Sequence, residues 1–230
     1  DDSISFNQIE IFEKNKKKVK SKIINLKKIN KLPLILRKKV LNDLKKITKT
    51  RVFLKRKSHL LMGVVNMTPD SFSDGGKYNS FNKALKRIAH LNEAGAEIID
   101  IGGESTRPGS KIISQNNELQ RVKKIVKKFK KKFPKALFSI DTRKSLVMDY
   151  SIKNKVDIIN DVSCFKHDPN SLNVSKNKNV WKIIHHMQGT PQTMQIKPSY
   201  SNVLLDIYDF FENEIKKFHK EKFRSKIILD

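Results

Sequence analysis

The sequence of 230 residues contains only one cysteine, Cys164, which excludes a disulfide framework and any zinc site built from several cysteines. Long apolar runs are also missing. The longest, residues 60–65, is far shorter than the roughly 20 residues that a membrane-spanning helix requires. No signal-peptide pattern opens the chain, and because residue 1 is Asp we expect the natural protein to begin further upstream. These absences predict a soluble, cytoplasmic protein without a membrane partner.

Acidic residues and arginine are scarce. The chain has 23 acidic against 49 basic residues, a net charge of +26, but 41 of the basic residues are Lys and only 8 are Arg. Arginine is the residue that proteins favour for bidentate contacts with bases and phosphates. We therefore interpret the charge as a solvated surface in a Lys-biased protein and expect no nucleic-acid partner. A basic nucleic-acid-binding module stays open as the non-enzyme alternative.

Glycine is absent from residues 1–58, which hold 19 basic and 5 acidic residues around short apolar clusters. This composition differs from that of the rest of the chain. It predicts a small Lys-rich N-terminal segment, built from a hairpin and a helix, and a separate domain over residues 59–230.

From residue 59, short apolar runs alternate with segments of helical periodicity. Nearly continuous apolar runs are typical of strands buried on both faces of a parallel sheet. Repeated strand–helix units predict such a sheet, with right-handed crossovers. The predicted strands are Leu60–Asn66, Ala96–Ile101, Ala136–Asp141, Val156–Asp161, Val180–Met187 and Lys226–Asp230.

Three longer helices between these strands have recognisable ends. Ser80, Ser114 and Ser201 are suited to cap their first turns, and Gly95 is suited to end the first of them. Each helix carries apolar residues at helical spacing, which we expect to face the core. In the third helix this face comprises Val203, Leu204, Ile207, Phe210, Phe211, Ile215 and Phe218.

Two architectures fit the alternation, an open doubly wound sheet and a closed (β/α)8 barrel. Eight strand–helix units need about 250 residues. Only 172 residues follow residue 58, which is enough for six strands and five helices. A barrel would therefore be unfinished at residue 230.

Polar residues collect at the ends of the predicted strands. They are Asn66, Asp100, Asp141, Asn160 and Asp230. One such residue alone would be explained as a helix cap, but a buried carboxylate is costly unless it is paired, so the whole set predicts a ligand site. Carboxylates and amides together suit a heterocycle with several N–H donors and carbonyl acceptors. Both architectures bind ligands at this edge of the sheet.

The loops at these strand ends carry long motifs. Residues 66–76 read NMTPDSFSDGG and residues 100–109 read DIGGESTRPG, and SIDT, IND and HMQGTPQTM follow at 139–142, 159–161 and 186–194. Taken together, and in this order, they resemble the signatures of the dihydropteroate synthase family. The resemblance covers residues 59–230 and implies a (β/α)8 TIM barrel, truncated here after strand six.

The resemblance also implies an activity. Members of this family are transferases of folate biosynthesis and sulfonamide targets. They condense 6-hydroxymethyl-7,8-dihydropterin diphosphate with 4-aminobenzoate to 7,8-dihydropteroate and diphosphate. These small molecules would be the partners of the chain, together with a second copy of itself in a homodimer when the protein is full length.

Residue roles follow where the motifs match. The pterin diphosphate would contact Thr106, Asp141, Asn160 and Asp230, and Asn66 would ligate Mg²⁺, the implied cofactor. The loop residues that would shape the aminobenzoate pocket are Asp70, Ser71, Phe72, Arg107 and Pro108. Further candidates at the pocket are Asp100, His186 and Met187.

The implied mechanism uses no catalytic acid, base or covalent nucleophile, in agreement with the absence of a recognisable triad. We interpret His185, which replaces a usually apolar position of the family pattern, as a packed histidine. We interpret Cys164 as a small residue without a chemical role.

The main departure from the family is at the C-terminus. The family continues with a Ser-Arg-Lys motif on strand seven and an Arg-x-His motif on strand eight, which supply anion-binding cations. We therefore expect the chain as given to have little or no turnover, and Mg²⁺-dependent formation of dihydropteroate by the purified chain would contradict this. The alternatives are a truncated, non-catalytic homologue and a pterin-binding methyltransferase domain, which shares the barrel but lacks the two long loops.

Overall fold

A computed structural model describes residues 5–15, 18–49, 59–68, 77–105, 110–176, 179–221 and 226–230. The chain divides into two compact units, Asp1–His59 and Leu60–Asp230. None of the helices in the described ranges combines the length and apolar character needed to cross a membrane.

The first unit is an antiparallel hairpin followed by two helical segments. Strand β1 (Gln8–Asn15) pairs with β2 (Lys18–Asn25), a 3-10 helix covers Leu26–Lys31, and helix α1 covers Leu34–Ile47. Asn25 caps the 3-10 helix through its side-chain oxygen, which accepts from the backbone of the first turn. The buried core of this unit consists of Ile24, Ile29 and Val40.

The second unit contains a parallel sheet of six strands that lie side by side in chain order. All six predicted strands are present, with ends that move by no more than three residues. Their bounds are β3 Met62–Asn66, β4 Ile98–Gly102, β5 Leu137–Asp141, β6 Ile158–Asp161, β7 Trp181–Ile184 and β8 Ile227–Leu229.

Helices connect the strands and pack on one face of the sheet. Phe129, in the helix that covers Gln115–Lys132, stacks on Phe138 of β5 with ring centroids 4.5 Å apart. The helix bounds are α2 Lys77–Glu93, α3 Gln115–Lys132, α4 Ser145–Lys153, α5 Ser171–Ser175 and α6 Val203–Lys220.

The strand order decides between the two predicted architectures. A doubly wound sheet reverses its strand order at a switch point, whereas a barrel adds each strand beside the previous one. The six strands follow chain order without a reversal. They therefore correspond to six consecutive strands of a (β/α)8 barrel, and the predicted fold class is confirmed.

The two faces of the sheet differ in how completely their side chains are buried. Ile99, Phe138 and Ile159 point toward the helices and are completely buried. On the opposite face, which lines the interior of a closed barrel, Val64 of the edge strand is 51% exposed. The polar strand-end residues described below also lie on this second face.

One of the three predicted helix caps is confirmed. The hydroxyl oxygen of Ser114 accepts from the backbone N–H of Asn117 at 3.2 Å and so caps α3. The prediction for α2 is wrong because that helix begins at Lys77, which puts Ser80 inside the first turn.

The predicted cap of α6 is also wrong, by one residue. Asn202 occupies the cap, and its Oδ1 accepts from the backbone N–H of Leu205 at 3.1 Å. Asn caps helices as well as Ser does. The carboxylate of Asp206 in the first turn accepts from the backbone of both Ser201 and Asn202, which fixes this start.

The apolar face of α6 is shorter than predicted. Ile207, Phe210, Phe211 and Phe218 contact the core. Val203 and Leu204 are more than half exposed, so the prediction that they face inward is wrong. The contact with the core begins one turn later, at Ile207.

Gly95 ends α2 as predicted. It has a positive φ of 99°, the left-handed conformation that follows many helices. The backbone N–H of Ala96 donates to the carbonyl of Leu91 at 2.9 Å, and that of Gly95 donates to the carbonyl of Asn92 at 3.1 Å. These two bonds satisfy carbonyls that the helix leaves without an internal partner.

Replacing Gly95 by Ala should lower the free energy of unfolding by about 1 kcal/mol. A methyl group on Gly95 meets nothing within 4 Å, so the cost comes from the backbone conformation and not from a clash. Urea unfolding followed by circular dichroism measures the change. Gly95→Asn is the matched comparison and should cost less, because Asn tolerates the left-handed conformation better than Ala. Equal stability of wild type and Gly95→Ala would contradict this account.

Candidate active site

Four residues stand side by side at the carboxyl edge of the sheet. The parallel register pairs Asn66 with Gly102, Gly102 with Asp141, and Asp141 with Asn160. Register partners in neighbouring strands point to the same face, as do residues two positions apart in one strand. Asp100 therefore lies on this face as well, one layer below Gly102. The sheet thus gathers polar side chains from four strands into one patch.

The missing side chain of Gly102 leaves space between its neighbours. A methyl group built on Gly102 would lie 3.3 Å from Oδ1 of Asn66 and 3.4 Å from Oδ2 of Asp141. An amide oxygen and a carboxylate oxygen from different strands therefore face the same small space. One ligand at this position could contact both.

A chain of polar contacts crosses the same patch. Nδ2 of Asn160 donates to Oδ2 of Asp100 at 3.0 Å, and Nε2 of His185 lies 2.6 Å from Oδ1 of Asn160. Nδ1 of His185 lies 3.4 Å from Oδ2 of Asp230. The interpretation of His185 as ordinary packing is therefore wrong, because its ring joins two of the predicted site residues. No feature of the sequence around residue 185 indicates this, since the contact depends on the spacing of β6, β7 and β8.

Burial changes the acidity of the carboxyl groups in the patch. It raises the pKa of Asp100 above its ordinary value, although the hydrogen bond from Asn160 acts in the opposite direction. It raises the pKa of Asp141 more strongly, and the nearby carboxyl group of Asp100 adds to this rise. Both acids therefore favour a ligand that brings N–H donors or positive charge to them.

Asp161 follows Asn160 directly but has a different role. Its carboxylate accepts from the backbone N–H groups of Ser163 and Phe165 at 2.8 and 3.1 Å, and from the hydroxyl of Ser163 at 2.7 Å. It therefore fixes the loop after β6, in which Cys164 and Phe165 both have positive φ. Burial raises the pKa of Asp161 to about 6.

A buried ion network lies directly after β4 and β5. Glu104 contacts Nη2 of Arg143 at 2.7 Å and Nζ of Lys144 at 2.8 Å, and Lys144 also contacts Glu118 at 2.7 Å. Burial favours the neutral acid, but the hydrogen bonds from Lys144, the backbone of Ile113 and Arg143 prevail and lower the pKa of Glu104. Burial raises the pKa of Glu118. The charges of two acids and two bases thus neutralise one another in a network that is almost completely shielded from solvent.

Gly103 allows this network to form. A methyl group on it would lie 2.9 Å from Cγ of Glu118 and 2.9 Å from Cγ1 of Val122. Helix α3 therefore approaches the end of β4 closely because residue 103 has no side chain. The sequence analysis missed the network, although charged residues directly after buried strands are the signal that could have identified it.

A cavity of about 350 Å³ opens beside the polar chain. This volume is at the lower end of the range for small-molecule sites. Its wall mixes cationic, polar and apolar groups, and His185 is the member that also belongs to the polar chain. The remaining lining residues are Arg143, Val162, Ser163, Cys164, Lys166, His167, Met187, Gly189, Thr190, Pro191 and Phe210.

The two candidates that follow His185 have different surroundings. Met187 lines the cavity. The ring of His186 packs edge-on against Phe210 of α6, with centroids 4.9 Å apart, and also lies near Tyr200. The backbone N–H of His186 donates to the carbonyl of Asp230 at 2.9 Å, which holds Asp230 beside the end of β7.

The oxygen atoms near Gly102 are the best candidate for a metal contact. Among the described residues there is no group of three or more His, Cys, Asp or Glu side chains placed to hold a metal ion. Mg²⁺ prefers oxygen ligands, keeps several waters and is often shared with substrate phosphates. The amide oxygen of Asn66 fits such a loosely held ion better than it fits a resident ion in a closed cage.

Six of the predicted site residues lie outside the described part of the chain. They are Asp70, Ser71, Phe72, Thr106, Arg107 and Pro108.

Comparison with known proteins gives one family. The model of the family described as pterin binding enzyme matches residues 62–230. A curated relative, the dihydropteroate synthase of Haemophilus influenzae, is 41% identical over 152 residues, which are 66% of this chain and 54% of the relative. The dihydropteroate synthase of Escherichia coli K12 is 39% identical over 171 residues, 74% of this chain and 60% of the relative. The chain thus spans little more than half the length of these relatives.

Solved structures give the same result. Dihydropteroate synthase of Yersinia pestis in complex with a sulfonamide drug is similar with a TM-score of 0.68 and 37% identity, over 74% of this chain and 62% of that one. Dihydropteroate synthase of Clostridium difficile in the presence of pteroic acid has a TM-score of 0.67 and 35% identity, over 74% and 63%.

The buried ion network supports a stability prediction. Lys144→Met should lower the free energy of unfolding by about 3–5 kcal/mol, because it leaves the carboxylates of Glu104 and Glu118 buried without their shared cation. The control is Lys153→Met, which breaks an exposed ion pair with Asp149 and should cost less than about 1 kcal/mol. Urea unfolding of both variants measures the difference. Equal losses would contradict the role of the network.

Proposed function

We propose, on the premise that the chain belongs to the pterin-binding enzyme family, that it carries the pterin site of a dihydropteroate synthase. In the whole protein this site would serve the condensation of 6-hydroxymethyl-7,8-dihydropterin diphosphate with 4-aminobenzoate in folate biosynthesis. The chain belongs to this family, whose model matches residues 62–230. The activity is the one named for the relatives in Haemophilus influenzae and Escherichia coli.

The observation that carries the proposal is the set of polar side chains that neighbouring strands place at the carboxyl edge of the sheet. These strands bring the side chains of Asn66, Asp141 and Asn160 to one face, with Asp100 one layer below. A pterin ring presents an amino group and ring N–H donors beside carbonyl and ring-nitrogen acceptors. A carboxylate accepts two parallel donors, and an amide offers one donor and one acceptor. This donor and acceptor pattern matches that of the ring.

The proposed reaction separates charge at the methylene carbon of the pterin. The bond from this carbon to the diphosphate oxygen breaks first, and the electron pair leaves with the diphosphate. The positive charge left on the pterin would be offset by the carboxyl groups of Asp100 and Asp141, whose pKa values are raised in the free chain and fall when positive charge develops beside them. The neutral amino nitrogen of 4-aminobenzoate then forms the new C–N bond and loses a proton to solvent.

Mg²⁺ is proposed as the cofactor, with Oδ1 of Asn66 as its ligand from this chain. When bound, the ion would neutralise charge on the departing diphosphate. The position of Asn66 at the end of the edge strand β3 supports its role as a ligand, since its side-chain oxygen faces the open space over Gly102.

The roles of the remaining site residues are proposed from the sequence motifs in which these residues occur. Thr106 and Asp230 would contact the pterin diphosphate, with His186 and Met187 nearby. The two loops would shape the aminobenzoate pocket, and the 350 Å³ cavity beside the polar chain offers room next to the pterin subsite. The full-length protein is proposed to act as a homodimer. The residues proposed for the aminobenzoate loops are Asp70, Ser71, Phe72, Arg107 and Pro108.

A binding measurement tests the proposal without requiring turnover. Asp141→Asn should weaken the binding of pteroic acid by about 10- to 100-fold, because an amide opposes one of its N–H groups to an N–H of the ring. Isothermal titration calorimetry at neutral pH measures the affinity.

The matched control is Asp149→Asn on α4, whose carboxylate forms an exposed ion pair with Lys153. It should bind pteroic acid as the wild type does. No measurable binding by the wild type, or equal affinity of wild type and Asp141→Asn, would refute the proposed pterin site.

A further inference from the structure

The amide of Asn160 is held in one orientation by its two partners. Its Nδ2 donates to the carboxylate of Asp100, so its Oδ1 faces His185. An amide oxygen only accepts hydrogen bonds. The contact of 2.6 Å with Nε2 of His185 therefore requires that Nε2 carry a proton.

The other ring nitrogen of His185 changes its role with protonation. In the neutral ring with the proton on Nε2, Nδ1 presents a lone pair to Oδ2 of Asp230, 3.4 Å away. Two acceptors repel each other. In the protonated ring Nδ1 becomes a donor, and the contact becomes a charge-assisted hydrogen bond.

In the protonated state the ring occupies one of the acceptor sites of the Asp230 carboxylate that a ligand could otherwise use. The carboxyl group of Asp230 lies beside the end of β7, where the ring of His185 competes with a ligand for this contact. A protonated ring also adds positive charge to a site in which positive charge develops during the proposed reaction. Both effects disfavour the ligand complex when His185 is charged.

We infer that His185 is a positioning residue of the pterin subsite. Its Nε2–H fixes the amide of Asn160, its neutral ring leaves Asp230 to the ligand, and its protonated ring holds Asp230 and weakens binding. This inference rests on the proposed function, because it requires that Asn160 and Asp230 receive the pterin ring.

Several groups around His185 affect its protonation. Burial lowers the pKa of His185, whereas the carboxylates of Asp230 and Asp100 act to raise it. His167 lines the same cavity and has a pKa that burial and the charge of Arg143 lower, so it needs its own control. The charged and titratable groups on the elements around the ring are Asp100, Asp141, Asp230, Arg143, Lys166 and His167. Burial raises the pKa values of Asp100 and Asp141, so both acids add a pH dependence that all variants share.

Calorimetric titration with pteroic acid at pH 5.5 and 7.5 tests the inference. The wild-type chain should bind about two- to tenfold more weakly at the lower pH, the upper figure being that of a histidine with an unshifted pKa. His185→Gln keeps an N–H donor near the position of Nε2 but does not titrate. It should bind like the wild type at pH 7.5 and lose the part of the pH dependence that His185 contributes. His185→Leu lacks the donor as well and should bind about tenfold more weakly at both pH values.

His167→Gln is the matched control, since it makes the same substitution in the same cavity wall. It should keep the pH dependence of the wild type. If His167→Gln loses the pH dependence and His185→Gln retains it, the inference is overturned.

A second measurement does not depend on ligand or on the folding of His185→Leu. Long-range ¹H–¹⁵N correlation spectra of the wild type, with the His185 signals assigned by their absence in His185→Gln, report which ring nitrogen carries the proton. Nε2–H at pH 7.5 is expected, and Nδ1–H would overturn the inference. Binding of pteroic acid that does not vary with pH would overturn it while leaving the proposed function intact. Absence of binding at both pH values would refute the proposed function, and the inference with it.

Discussion

The lateral register of the parallel sheet determines where the proposed ligand contacts on its strands lie. Asn66, Asp141 and Asn160 come from three strands and share a face only because each strand pairs with its neighbour at one register around Gly102. A slip by one residue would turn each of these side chains toward the helices. The completely buried residues on the helix-facing side, such as Ile99 and Phe138, prevent such a slip because they would have to face the polar side instead.

Charged residues near this edge fall into two groups. Glu104 and Lys144 are paired within the protein, and their contacts lower the pKa of Glu104 despite its burial. Asp100 and Asp141 are less compensated, and burial raises the pKa of both. The paired group serves the fold, since it fixes the chain after β4 and β5. The uncompensated group is the one that gains from a ligand with complementary donors.

Local sequence patterns predicted the strands, because nearly continuous apolar runs and intervening helical periodicity are properties of short segments. These patterns left the order of the strands in the sheet open between two architectures. Local patterns also predicted the roles of Ser114 and Gly95, which depend on a few neighbouring residues. The caps at Ser80 and Ser201 were predicted wrongly, because helix starts shift when a neighbouring residue caps equally well or the helix gains a further turn. The role of His185 was missed since its partners, Asn160 and Asp230, come from two other parts of the chain.

Gly103 links the shape of the chain to its charge balance. The nearest atom to an added methyl group, apart from Val122, is Cγ of Glu118, the carboxylate side chain that neutralises Lys144. A larger residue at position 103 would therefore push away a counter-ion as well as a helix. Such a variant would behave as an electrostatic mutant, with a stability that depends on pH, although neither the old nor the new side chain carries charge. Restoring the stability of such a variant would require more space beside β4, which no substitution of charged residues would provide.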